Sequence, residues 1–140
     1  MKRSALTIAL IVAPIIAHSA VNVEVFCFRS SDNNNIHLEF RTYIDPEIKW
    51  EGAIAKYKAT GEPLSLVLSD RQSESIDKNN PGRITRRWLE VDRKKFTGEY
   101  EMISQGVNVE SMTYLSYRTR KEYHFLRDAS VDFTEKGCEW

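Results

Sequence analysis

Histidine and cysteine are scarce in this chain of 140 residues, which holds three histidines and two cysteines. Beyond residue 20 only His37 and His124 remain, a thin supply for a zinc site that takes three or four ligands. The two cysteines lack the CxxC spacing or neighbouring base of a catalytic thiol. Six glycines are scattered, so no glycine-rich loop is formed to cradle phosphate. The serines include no Gly-x-Ser-x-Gly nucleophile elbow. Charge of one sign is not in excess either, with 20 basic and 20 acidic residues, which argues against a general nucleic-acid binder. No apolar run reaches the ~20 residues of a membrane helix, and no segment keeps a helical repeat.

What is present begins with a leader. Met1-Lys2-Arg3 is basic, Ala5 to Ala17 is apolar and broken by Pro14, and Ala17-His18-Ser19-Ala20 is small and polar. That layout predicts a signal peptide over 1–20, cleaved after Ser19 or Ala20, and a single domain over 21–140. Export to the bacterial periplasm, or secretion, is the expected destination, without a stable membrane anchor. Cleavage would remove Lys2 and Arg3 and no acid, leaving a slightly acidic chain.

In an oxidising compartment an even cysteine count favours a disulfide, here Cys27–Cys138. It would bring the first strand against the end of the chain, since bridged Cα atoms lie within about 7 Å.

The dominant pattern along 21–140 has period two, which predicts about eight antiparallel strands. Ile36, Leu38, Phe40, Thr42 and Ile44 mark one inner face; Leu64, Leu66 and Leu68 mark another. Ile48, Trp50, Gly52 and Ile54 are expected inward on the third strand, with Gly52 at a bend. Phe96, Gly98, Tyr100 and Met102 are expected inward on the sixth. The fifth strand, Arg83 to Val91, has two competing faces: Ile84, Arg86 and Trp88, or Thr85, Arg87, Leu89 and Val91. Arg71 to Gly82 reads as a long loop, with a short helix over Arg71 to Lys78. An all-β fold follows, either an up-and-down barrel, which leaves no unpaired edge, or a two-sheet sandwich.

Recognition residues are sought in two places. Arg83, Arg86, Arg87, Arg93, Lys94 and Lys95 surround Trp88, and Arg and Trp are the residue types enriched at interface hot spots. The Arg71–Gly82 loop adds Arg71, Glu74 and Asp77. In layout the chain resembles small periplasmic β proteins that inhibit lysozymes or neutralise cell-wall-attacking toxins. The resemblance is of architecture, so no site residue is carried across. It implies a protein partner, an exported enzyme or toxin; from the residue absences above, no cofactor, metal or catalytic residue is expected. A second reading is a barrel carrying a small apolar ligand, lined by Trp50, Trp88, Tyr100 and Phe125. A third is an envelope hydrolase using Glu99, Glu101 or His124.

Overall fold

The computed structural model describes residues 20–32, 35–75 and 77–140. The leader reading lies outside the described residues. Eight strands dominate: β1 (Asn22–Ser30), β2 (His37–Asp45), β3 (Trp50–Tyr57), β4 (Pro63–Glu74), β5 (Arg83–Asp92), β6 (Lys95–Gln105), β7 (Asn108–Ser116) and β8 (Glu122–Arg127). They pair antiparallel in chain order and close into a barrel, and the sandwich alternative falls. A short hairpin, β9 (Phe133–Thr134) and β10 (Gly137–Cys138), follows.

Alternation of strand direction sorts the connections into two ends. The proximal end carries the connections at 46–49, 75–82 and 106–107. The distal end carries 31–36, 58–62, 93–94 and 117–121. An eight-stranded barrel has an interior that side chains can just fill. Here Phe28, Leu38, Phe40, Trp88, Tyr100, Met102 and Met112 are fully buried and occupy the middle of the barrel. Phe40 meets Trp88 edge-on, with ring centroids 5.1 Å apart. Burying aromatic and aliphatic side chains of this size is the main stabilising term, roughly 1.5–3 kcal/mol each.

Four sequence expectations change. On β3 the inner face is Ala53, Ala55 and Tyr57; Ile48 is 71% exposed, and the Trp50 ring lies outside over Gly52. Gly52 therefore makes room for an indole rather than a bend, and the β2–β3 register runs through it unbroken. Small alanines fit inside because the aromatic rings of facing strands already fill the barrel. Among the described residues of 71–78 no helix forms: β4 runs on to Glu74, and Asp77 makes an isolated bridge to Asn80. A bulge at the start of β6 turns Phe96 outward, so that Thr97 rather than Phe96 bonds Glu90 inside. A second irregularity, between β6 and β7, sets Met112 and Tyr114 on the packed face of β7.

Cys27 and Cys138 form the expected disulfide, with Cα atoms 5.9 Å apart. It points to an oxidising, non-cytoplasmic location. No helix among the described residues is long and apolar enough to cross a membrane.

Candidate functional site

The barrel seam closes unevenly. β1 pairs with β8 only over Phe28–Ser30, and β8 pairs with β7 only over Glu122–Phe125. After Phe125 the eighth strand leaves β7 and crosses to β1. Among the described residues, β1 from Asn22 to Phe26 and β7 from Asn108 to Ser111 thus have no ladder partner on their facing sides. Between them lies a cleft of about 910 Å³ that runs from the proximal interior to the outer surface. Val23, Phe26, Met102, Val107 and Val109 line it with Arg86, Arg127 and Phe133.

Exposed apolar side chains gather at this cleft. Val107 is 89% exposed, Phe133 52% and Val23 51%. Unpaired strand edges beside exposed apolar residues form a template for another chain unless a charge or a covering element blocks them. The β9–β10 hairpin covers the outer side of β1 and β2 instead. Arg41 donates to the carbonyls of Glu135 and Lys136, at 3.2 and 2.6 Å. Glu39, buried, accepts from the Cys138 amide at 2.9 Å and meets Arg41 at 2.6 Å and Lys56 at 3.1 Å. Burial alone would raise the Glu39 carboxyl, yet the Cys138, Arg41 and Lys56 donors hold it below its ordinary value.

The basic segment read from the sequence does not form one surface. β5 has ten residues, so its ends are separated by roughly 30 Å. Trp88 is core, not surface. Arg86 faces inward, its Nε 2.7 Å from Glu51 Oε1, with Arg71 4.0 Å from the same carboxylate. Arg87 is paired with Glu101 at 2.6 Å and Asp70 at 3.6 Å, and Arg83 with Glu110 at 2.7 Å. Arg93 and Lys94 form the distal turn to Lys95, both with positive φ. Glu74 and Asp77 are exposed at the proximal end.

The groups weighed for hydrolysis are each engaged elsewhere. Glu101 holds Arg87, Glu99 accepts from the Tyr117 hydroxyl at 3.4 Å, and His124 lies 3.2 Å from Glu122. Trp50 is outside the barrel, while Trp88, Tyr100 and Phe125 are packed into it. No group of His, Cys, Asp and Glu suited to a metal ion occurs among the described residues.

The distal mouth holds a group that the sequence reading missed. Glu90 is buried inside the barrel, where its carboxylate accepts from Thr97 at 2.6 Å, Tyr100 at 3.1 Å and Tyr114 at 3.2 Å. Tyr57 and Tyr100 share a 2.7 Å hydrogen bond. Burial raises the Tyr57 phenol to about 12, and burial likewise raises Tyr100 and Tyr114, so all three stay protonated donors at neutral pH. Its signal was present: Glu90 keeps the parity of Trp88, and Gly98 opposite it leaves room for an aromatic ring.

Fold and site together define a disulfide-clamped, up-and-down barrel with a packed centre, an open seam and an aromatic mouth. Compared with protein-family models, curated proteins and solved structures, the chain matches none.

Proposed function

We propose that the chain is an exported, periplasmic protein-binding module, an inhibitor or immunity protein that blocks a cell-envelope-acting enzyme or toxin. The observation that carries this reading is the seam between β1 and β7. Backbone N–H and C=O groups require partners, and two unpaired edges flanking one cleft offer them to an extended segment. The occupant is therefore an extended strand of the partner protein, its apolar side chains meeting Val23, Val107 and Phe133. Export rests on the leader pattern and on the disulfide. The packed centre around Trp88 and Tyr100 supports a protein partner over an apolar ligand held in the middle of the barrel.

The test combines capture from envelope extracts with assay of the captured enzyme or toxin. The parent should hold one stoichiometric protein and suppress its activity. A Val23→Arg/Val107→Asp variant should lose both, because these exposed side chains contribute little to folding. An Arg93→Glu/Lys94→Glu variant at the distal end should keep both. Retention by the seam variant, or a captured protein whose activity is unaffected, would overturn the proposal.

A further inference from the structure

At the distal end a second cavity, about 630 Å³, opens beside Asn35–Ile36 and the 58–60 stretch of the β3–β4 connection. Its walls include Ile36, Tyr57, Tyr114, Tyr123 and Phe125, with Lys58 at the rim. That volume lies within the usual range of small-molecule sites. Behind the tyrosines stands Glu90, and among the described residues no lysine, arginine or histidine forms an ion pair with it.

Hydrogen-bond direction sets the polarity of the mouth. Tyr100 has one hydroxyl proton, and Glu90 takes it. Tyr57 must therefore donate to Tyr100, and Tyr114 donates to Glu90. The phenolic protons of Tyr57, Tyr100 and Tyr114 thus run inward to Glu90, which leaves the Tyr57 oxygen a lone pair on its outer side. Tyr114 and Tyr123 stack with centroids 6.1 Å apart. The wall already holds one cation, since the Lys121 ammonium sits 4.7 Å above the Tyr123 ring.

We infer that the distal mouth binds a small organic ammonium ion, of the size of choline, against the aromatic wall of Tyr57, Tyr114 and Tyr123, with the buried Glu90 carboxylate behind that wall. The distal connections carry more bases than acids, but those groups are exposed and screened over about 8 Å. Glu90 is shielded from solvent, so its field acts in the cavity with less screening. Lys121 is then a competitor for the wall rather than a ligand-binding residue. This site is independent of the seam and of the partner proposed there.

The experiment follows the tyrosine ring resonances of the disulfide-intact protein by NMR during titration with choline chloride. Parallel titrations use the neutral isostere with carbon in place of nitrogen, and octanoate. Choline should give a saturable shift at Tyr57, Tyr114 and Tyr123, and the neutral isostere should bind about tenfold more weakly. Tyr123→Leu should weaken choline about tenfold, and Lys121→Gln should tighten it. Glu90→Gln should weaken it as well; if that variant fails to fold, the Tyr123 and Lys121 variants decide, because Tyr123 is only half-buried and Lys121 is exposed. Equal binding of the isostere, weaker choline binding in Lys121→Gln, preference for octanoate, or no saturable shift would each overturn the inference.

Discussion

Glu39 shows how one residue ties the chain end to the barrel. It projects from the outer face of β2 and is buried only because the β9–β10 hairpin lies over it. A Cβ at Gly137 would overlap its carboxylate, and Gly137 also has φ +123°, so glycine is required twice there. Removing the carboxylate in Glu39→Ala strands Arg41 and Lys56 and should cost about 2–4 kcal/mol in urea unfolding. The pH dependence has a definite sign. In the folded state the carboxyl is held below its ordinary value of 4.5, despite the opposing effect of burial. The unfolded chain therefore binds more protons as pH falls from neutral, and the stabilisation, complete above that value, is lost as pH drops through the folded one. The urea midpoint of the parent should fall on acidification below about pH 5, and that of Glu39→Gln should fall less. Parallel curves for the two proteins would remove Glu39 from this role.

Among the elements, β5 and β6 decide the interior of the distal half. Gly98 faces inward, and the Tyr114 ring lies across it to reach Glu90; an added Cβ would overlap that ring. Gly98→Ala should push Tyr114 off Glu90 and destabilise the barrel by about 1–3 kcal/mol, read by urea unfolding, with a changed Tyr114 environment by NMR. An unchanged Tyr114 environment would show that the crossing does not need the glycine. The same pair shows what the sequence could reveal. Strand number, antiparallel order and the faces of β2 and β4 followed from period-two alternation of large apolar residues, and the disulfide from an even cysteine count behind a leader pattern. β3 was misread because alternation is scored by size, and its inner face is built from Ala53 and Ala55, whereas bulky Ile48 and Trp50 lie outside. Arg83–Lys95 looked like one basic surface because charge is counted along the chain. The pleat sends Arg86 inward and Arg87 outward, and cross-strand carboxylates, invisible to local spacing, take up both. The seam could not be read at all, since it depends on where β8 leaves β7 for β1.

For the whole molecule, the disulfide decides how far the uneven closure can be tolerated. β1 is held to β8 by only three register pairs, the weakest junction in the barrel. Cys27 lies in that same strand, and its bridge to Cys138 spans 111 residues of sequence. On the chain-entropy model such a loop contributes about 4–5 kcal/mol by restricting the unfolded ensemble. The native contribution is local: the bridge fixes β10 over β1 and so positions Phe133 at the mouth of the seam. A Cys27→Ser/Cys138→Ser variant should therefore lose stability by about 3–5 kcal/mol, lowering the urea midpoint by roughly 2 M. Hydrogen exchange should rise first along β1, β9 and β10, while the β4–β5–β6 ladder, remote from the bridge, keeps its protection until global unfolding. Uniform loss of protection across all strands would show that the bridge acts only on the unfolded chain. An unchanged midpoint would show that the three β1–β8 pairs and the packed centre close the barrel without it.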